Sequence, residues 1–336
     1  MSMPGASAGW IGVFFVCYAI GLSGTWLARR YALRRRLVDL PGDRRSHTVP
    51  TPRGGGIAIV AAMLVALAWA LAGGAAHARF LLAVGAGLVL IAGIGWIDDH
   101  RPLPPWPRLV VQGIAAAALA WGLAVEGGSL AGSLAGFIAA MALVNVWNFM
   151  DGTDGIATTQ AIIAGLAYAV FAWGAPSAWL GLGLVAGGLG FLPFNFPKAR
   201  IFLGDVGSGA LGYALAASAA WIAQGDWPHA PLLLLPLSAF LADASLTLAA
   251  RAAAGQRWWT PHAEHAYQFW ARRLQSHQPV AFSYAGWTLM AVLIMFGARN
   301  EAGAFIMSIV TAVFVAASAV WTWSRWFRRR EEAAGR

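Results

Sequence analysis

The 336-residue sequence has very little cysteine and very little charge. It contains one cysteine, Cys17, so an intramolecular disulfide is excluded and the redox compartment is left open. Charged residues make up only 11% of the chain, whereas hydrophobic residues make up 59% and the mean hydropathy is +0.62. These values exclude an ordinary soluble domain and are typical of polytopic membrane proteins.

Long apolar runs fill most of the chain, and eleven of them have about 17–23 residues, enough to cross a bilayer as helices. They span 9–28, 55–76, 79–97, 109–125, 129–149, 156–174, 178–195, 207–224, 229–250, 281–298 and 302–324. No basic segment precedes the first run and no small-residue cleavage site follows closely, so we expect a retained helix there. The pattern predicts an all-α polytopic membrane protein with about eleven transmembrane helices, in a single domain over residues 1–336.

Basic residues concentrate on alternate loops. That set is Arg29, Arg30, Arg34, Arg35, Arg36, Arg44, Arg45, Arg53, Arg101, Arg108, Lys198, Arg200, Arg251, Arg257, Arg272, Arg273 and the tail from Arg325 to Arg336. Only Arg79 and Arg299 fall on the opposite side. The positive-inside rule therefore predicts an external N-terminus and a cytoplasmic C-terminus. The formal net charge of +9 is spread along one membrane face, which favours anionic membrane lipids and a phosphorylated substrate, and not nucleic acid, as partners.

One polar stretch, NVWNFMDGTDGIA from Asn145 to Ala157, stands between two apolar runs. Asn145, Asn148, Asp151 and Asp154 recur every third residue, so they drift around a helix and the helix should end within the stretch. Carboxylates and amides at a membrane edge suit a hydrated cation and phosphates. The alternative is an ordinary helix end followed by a glycine turn.

Two further segments carry groups that suit phosphate chemistry. Between Asp43 and Gly56, the side chains of Arg44, Arg45 and His47 offer donors to phosphate oxygens; the alternative is a positively charged anchor and a turn. At the end of the third apolar run, Asp98 and Asp99 suit a base or a cation site, with Arg101 and Arg108 beside them for phosphates; the alternative is a helix terminus that reaches water. These donors and acids fall on the predicted cytoplasmic side.

The segment FNFPKARIFLGDVGSGALGY places Asp205 between glycines at the start of the eighth run. Asp205 suits an oxygen ligand for Mg²⁺ beside backbone N–H groups, or equally a helix N-cap. Asn195 and Phe202 suit contacts with a nucleotide base, although packing explains them as well.

Two later features remain ambiguous from the residues alone. Asp243 lies inside the ninth run, which predicts a site or an ion pair with a basic residue. In the last long loop, His262, Glu264 and His265 resemble a weak zinc pattern, but the spacing is wrong for a helical pair and cysteine is lacking. We favour phosphate contact by His265.

Taken in order, these motifs resemble those of the polyprenyl-phosphate N-acetylhexosamine-1-phosphate transferase family. The resemblance rests on SHTVPTPRGGG, the Asp98–Asp99 pair, NVWNFMDGTDGIA, FLPFNFPKARIFLGDVGSG and the histidine loop, and it covers residues 38–278. It implies transfer of a sugar 1-phosphate from a UDP-N-acetylhexosamine to undecaprenyl phosphate, with release of UMP. It also implies a need for Mg²⁺, with Mn²⁺ as the alternative ion.

The resemblance assigns roles to matching positions. Asp205 and Asn148 would hold the metal, and Asp151 and Asp154 would line the metal–nucleotide cleft. Asp98 and Asp99 would serve the acceptor, whereas His265 matches the histidine of the last loop in relatives. Asn195 and Phe202 match positions that contact uracil in relatives. From the residues themselves we also expect substrate contacts by Arg44, Arg45, His47, Arg101, Arg108, Asn145 and Asp243.

Two departures distinguish this chain within the family. His262 and His265 are not part of a denser histidine cluster, and Arg101 and Arg108 replace the lysines of the peptidoglycan branch. Both departures favour the branch that initiates O-antigen, capsule or related glycans over the phospho-N-acetylmuramoyl-pentapeptide transferases. The expected location is the bacterial cytoplasmic membrane, with a homodimer as an option and the active site on the cytoplasmic face.

A different class of function also fits an apolar chain with acids. An ion-coupled transporter or a flippase for lipid-linked sugars would place its polar residues near mid-membrane, often in internal repeats. Here the polar motifs gather on one face and no repeat is present, which favours the transferase.

Overall fold

The fold is known from a computed structural model that describes residues 4–40, 49–257, 260 and 262–334, without the side chains of residues 4–8. The helices are α1 (Pro4–Arg35), α2 (Ile57–Ala72), α3 (Ala78–His100), α4 (Pro105–Val125), α5 (Leu130–Met150), α6 (Ile156–Phe171), α7 (Pro176–Asn195), α8 (Asp205–Gly225), α9 (Ser238–Ala253), α10 (Ala266–Leu274), α11 (Gln278–Gly297) and α12 (Gly303–Ala334). A 3₁₀ helix (Trp227–Leu237) runs directly into α9. Two short antiparallel strands, β1 (Val38–Asp39) and β2 (Thr51–Pro52), pair Val38 with Pro52 and Asp39 with Thr51.

Each of the eleven predicted apolar runs corresponds to an apolar helix. Within the described part of the chain, nine helical segments are long and apolar enough to span a membrane, the 3₁₀ helix and α9 counting as one. The other two, α2 and α6, have 16 residues each. The prediction of an all-α, multi-pass membrane protein is confirmed; its orientation in the membrane stays a prediction.

The helix α8 lies at the centre of the bundle. Every residue from Val206 to Ser218 is buried, as expected for a helix that is apolar all round. α3, α5 and α6 pack around it, with α2 and α7 on a further side. The outer helices α1, α11 and α12 expose large apolar side chains, such as Phe15 and Leu293, where lipid would contact them.

Close contact between α5 and α8 depends on a glycine. A Cβ at Gly212 would lie 2.1 Å from the carbonyl oxygen of Leu143, which is far below van der Waals contact. Small residues at helix crossings allow this kind of backbone approach in membranes. The contact fixes α5 against α8, and the polar residues of both helices lie at their adjoining ends.

We expect Gly212→Ala to lower the thermal unfolding temperature of the purified protein by several degrees, because the added methyl group must push α5 and α8 apart. Gly225→Ala is the matched control, since no heavy atom lies within 4 Å of a Cβ built there. Equal unfolding temperatures for the two variants would contradict the described packing.

Candidate active site

A polar cleft opens where the C-terminal ends of α3, α5 and α7 meet the N-terminal end of α8. It encloses about 970 Å³ of space free of protein atoms, counting its open mouth. Seven of the predicted site residues line it: Asp99, Asn148, Asp151, Asp154, Asn195, Phe202 and Asp205. The remaining lining residues are Asp39, Arg53, Gly152, Thr153, Gly204, Gln268 and Arg272.

Asp99 caps the buried start of α8. Its carboxylate accepts hydrogen bonds from the backbone N–H groups of Asp205 (3.2 Å) and Val206 (3.1 Å). Arg53 lies on the other side, with its Nε 3.8 Å from Asp99 Oδ1 and its Nη2 donating to the Asp99 carbonyl oxygen at 2.5 Å. A negative charge at a helix N-terminus satisfies otherwise unpaired donors and the positive end of the dipole. Asp99 therefore stabilises the start of α8 and also lines the cleft.

Arg108 joins three polar side chains behind the cleft. Its Nη1 donates to Asp98 Oδ2 at 2.8 Å and lies 3.7 Å from Asp205 Oδ2, and its Nη2 donates to Asn148 Oδ1 at 3.3 Å. Asn148 Nδ2 in turn donates to Asp205 Oδ1 at 2.6 Å. Because Arg108 holds the amide oxygen, the nitrogen of Asn148 and not its oxygen faces Asp205.

The α3 and α8 backbones approach each other closely enough to build this network. A Cβ at Gly95 would lie 2.4 Å from the carbonyl oxygen of Asp205, so only glycine fits there. Asp98 and Asp99 follow one turn later on α3, which brings their carboxylates to the start of α8. Asp98 also accepts a hydrogen bond from the Leu103 N–H at 2.6 Å, and this bond holds the turn into α4.

Asp151 differs from the other acids of the cleft. It ends α5, and no hydrogen-bond donor or ion-pair partner contacts its carboxylate among the residues that the structure describes. Enclosure by protein atoms, with the negative charges of Asp205, Asp99 and Asp154 nearby, raises the pKa of Asp151 well above its usual range. The ionised form of Asp151 is therefore disfavoured unless a cation binds at this point of the cleft.

Hydrogen bonds connect the loop after Asp151 to the end of α7 and the loop that follows it. Asp154 Oδ2 accepts from the Ala199 N–H at 3.1 Å and lies 3.2 Å from His277 Nδ1. Asn195 Oδ1 accepts from the Gly155 N–H at 2.9 Å, and its Nδ2 donates to the Ile201 carbonyl at 3.1 Å. Both polar groups of the Asn195 amide are thus engaged by backbone, and the side chain shapes the cleft wall.

Six predicted site residues of the described chain lie outside the cleft lining: Asp98 and Arg108 behind it, and Arg101, Asn145, Asp243 and His265. Arg101 is exposed, and Asn145 donates to Gln112 Oε1 on α4 at 2.9 Å. Asp243 accepts from the N–H groups of Ala266 (2.9 Å) and Tyr267 (3.1 Å), so it caps the start of α10.

His265 lies beside that cap and is only 2% exposed, with its Nδ1 3.5 Å from Asp243 Oδ1. Neighbouring His262 is part-buried, and burial, with His265 and Arg251 nearby, lowers its pKa to about 4. An imidazole with that pKa is neutral near pH 7 and does not supply a positive charge for phosphate. The predicted donors Arg44, Arg45 and His47 lie outside the described residues.

Sequence reasoning missed two arginines of the cleft. The sequence places Arg53 and Arg272 among the basic loop residues, and no motif assigns either to a site. The signal for Arg53 was its position directly before the glycines of the SHTVPTPRGGG motif. Arg272 lies one turn after Gln268 on α10, and both line the cleft, although no motif marked either of them.

The donor set fits a hydrated magnesium ion better than a fully protein-bound metal. No three His, Cys, Asp or Glu side chains of the described chain form a metal-binding group. Mg²⁺ commonly keeps several waters and takes one or two carboxylates together with substrate phosphates. Asp205, whose side chain is 29% exposed, and Asp151 offer such oxygens in the cleft.

We expect Asp151→Asn to raise the unfolding temperature in EDTA-containing buffer, because it removes a charge that its surroundings disfavour. A raised folded-state pKa means that this penalty is absent below the unfolded-state value of about 4 and grows as the carboxyl ionises at higher pH. The gain should therefore be larger at pH 8 than at pH 5. Asp154→Asn is the matched control and should lower stability, since Asp154 has partners. A loss of stability in Asp151→Asn would show that its carboxylate has a stabilising contact.

Comparison with known proteins identifies relatives of this chain. The model of glycosyl transferase family 4 matches residues 80–223, the stretch that runs from α3 to α8. A decaprenyl-phosphate N-acetylglucosaminephosphotransferase from Mycobacterium leprae (strain TN) is 29% identical over 87% of this chain and 84% of its own length. A probable undecaprenyl-phosphate N-acetylglucosaminyl 1-phosphate transferase from Bacillus subtilis (strain 168) is 31% identical over 60% of each chain.

The phospho-N-acetylmuramoyl-pentapeptide-transferase of Symbiobacterium thermophilum is 36% identical over 57% of this chain and 66% of its own. The matched stretch of the family model includes the acids from Asp98 to Asp205 that form the cleft. Residues 80–223 therefore match glycosyl transferase family 4, and the resemblance of the chain to the polyprenyl-phosphate N-acetylhexosamine-1-phosphate transferases is confirmed.

Proposed function

We propose that the protein transfers an N-acetylhexosamine 1-phosphate from a UDP-sugar to undecaprenyl phosphate, releases UMP and so initiates a lipid-linked glycan. The observation that carries this proposal is the charge arrangement of the cleft. Asp151 and Asp205 present carboxylate oxygens, while Arg53 and Arg272 line the same space. A cleft with both features suits a cation together with the phosphates of a nucleotide-sugar.

Asp205 and Asp151 would hold the Mg²⁺ ion, with water and substrate phosphates completing its ligands. When bound, the ion would neutralise charge on the pyrophosphate and on the departing UMP. Asn148 was expected to be a second metal ligand, but its amide nitrogen donates to Asp205. Its role in this proposal is to orient the Asp205 carboxylate, with Arg108 fixing the amide from behind.

Arg53 and Arg272 would bind the phosphates of donor and acceptor and reduce the repulsion between these phosphates. Both substrates are anionic, so positive charge in the cleft favours their approach. A phosphate monoester has its second pKa near about 6, so the acceptor is largely ionised without a strong base. Asp98 and Asp99 are held by Arg108, Arg53 and the start of α8, which suits positioning of these cations better than proton abstraction.

Phe202 would contact the uracil ring. It lines the cleft, and its backbone is held by β2, since its N–H donates to the Pro52 carbonyl at 2.8 Å. A fixed aromatic ring at a cleft wall offers a stacking surface for a base. Asn195 supports that wall from the buried side.

N-acetylglucosamine is the first sugar to test, because the names of the mycobacterial and Bacillus relatives specify it. The loop with His262 and His265 in place of a denser histidine cluster, and Arg101 with Arg108, favour an O-antigen, capsule or related glycan over peptidoglycan. The basic loops favour a bacterial cytoplasmic membrane location with the cleft on the cytoplasmic face.

The purified protein should release UMP when it is supplied with undecaprenyl phosphate, Mg²⁺ and one of a panel of UDP-N-acetylhexosamines. EDTA and Asp205→Asn should each reduce the rate by at least ~100-fold, a loss typical of removing a key electrostatic group. Asp226→Asn is the matched control, because Asp226 lies in a loop away from the cleft with its side chain 50% exposed. Failure of every donor to yield UMP would refute the proposed reaction.

The orientation can be tested with single cysteines, since the native Cys17 is buried. Glu301→Cys and Gln256→Cys both replace exposed residues, on opposite predicted sides of the membrane. A membrane-impermeant maleimide should label the protein at position 301 in intact spheroplasts and at position 256 only after permeabilisation. The reverse pattern would mean that the cleft faces outward.

A further inference from the structure

The short helix α10 forms one wall of the cleft on one side and packs against α12 on the other. Gln268 and Arg272, one turn apart, line the cleft. On the opposite side, Trp270 Nε1 donates to Ser324 Oγ of α12 at 2.9 Å, and Arg273 pairs with Glu331. The end of α12 therefore contacts the helix that carries a cleft arginine.

Glu264, just before α10, is held between two other helices. Its carboxylate pairs with Arg251 of α9, whose side chain is only 8% exposed. Arg328 of α12 lies 4.0 Å from Glu264 Oε2 and donates to the Glu264 carbonyl oxygen at 3.4 Å. An ion pair with a buried partner is screened less than an exposed one, so this contact fixes the chain at Glu264.

The residue next to Glu264 holds the cleft arginine in turn. Arg272 Nη2 donates to the carbonyl oxygen of Ala263 at 2.8 Å. The orientation of the Arg272 guanidinium therefore depends on where the Ala263 carbonyl lies. The position of that carbonyl depends in turn on the neighbouring residue, Glu264. The same α10 segment is tied to the Asp151 side of the cleft, because Tyr267 Oη donates to the Phe149 carbonyl at 2.9 Å.

We propose that Glu264 is a positioning residue for the donor site: held between Arg251 and Arg328, it sets the Ala263 carbonyl that aims Arg272 into the cleft. This inference rests on the proposed function, in which Arg272 binds phosphate of the UDP-sugar. It gives the C-terminal part of α12 a role in substrate binding, although that segment lies outside the stretch matched by the family model.

A general structural role for Glu264 makes a different prediction from a positioning role. A looser fold would lower the fraction of active protein, which reduces the apparent kcat and leaves KM unchanged. Misplacement of Arg272 would weaken donor binding and raise the KM for the UDP-sugar instead. The effect should also vanish when Arg272 has already been removed, because the two residues act in one chain of contacts.

The test is a double-mutant cycle on UMP release at saturating acceptor, with the donor concentration varied. Glu264→Gln and Arg272→Ala should each raise the donor KM about tenfold, with kcat within about twofold of the native enzyme, and the double variant should resemble Arg272→Ala. Arg328→Gln removes only the outer contact and should give a smaller rise in the same direction. An additive double variant, or an effect on kcat alone, would overturn the proposal.

Glu332→Gln is the matched control, since Glu332 pairs with the same Arg328 at 3.2 Å but is 61% exposed and forms no hydrogen bond or ion pair with Glu264 or Arg272. It should leave both constants unchanged.

Hydrogen–deuterium exchange over residues 263–268 provides a readout independent of turnover. The exchange should rise in Glu264→Gln and Arg328→Gln and not in Glu332→Gln. If native protein releases no UMP, the proposed function fails, while unchanged exchange would overturn the positioning role by itself.

Discussion

The cleft depends on one physical constraint, the need to satisfy the first backbone N–H groups of a helix that begins inside the protein. Asp99 accepts hydrogen bonds from two of those groups at the start of α8. Without such an acceptor, each buried donor would cost about 1–3 kcal/mol. The carboxylate also favours the positive end of the helix dipole, so α3 and α8 must meet at this point. The close approach at Gly95 permits that meeting.

Once Asp99 is fixed, the remaining charges divide into two groups. Asp98 and Asp99 are balanced by Arg108, Arg53 and the helix terminus, with Asp99 and Arg53 lining the cleft and Asp98 behind it. Asp151 has no such partner among the described residues, and its pKa is raised first by burial and then by the carboxylates around it. A cation bound at Asp151 would favour its ionised form and could in turn hold a phosphate-bearing substrate in the cleft.

The sequence predicted the helices and much of the cleft, because alternate loops must share one membrane face and the polar motifs fall on those loops. The same logic failed to separate polar residues that bind neighbouring helices from those that line the cleft. Asn145 and Asp243 are polar groups in apolar segments, and they contact Gln112 and the start of α10. Arg53 and Arg272 looked like positive-inside residues, since only the folded loops bring them into the cleft.

The most direct measurement follows the β-phosphate of the donor, because it reports which bond breaks. UDP-N-acetylglucosamine labelled with ³²P at the β-position is incubated with the protein, undecaprenyl phosphate and Mg²⁺, and the lipid and aqueous fractions are separated. We expect the label in the lipid fraction together with unlabelled UMP in the aqueous one, as transfer of a sugar 1-phosphate requires. Label recovered in UDP would mean that only the sugar moves, and it would contradict the proposed reaction.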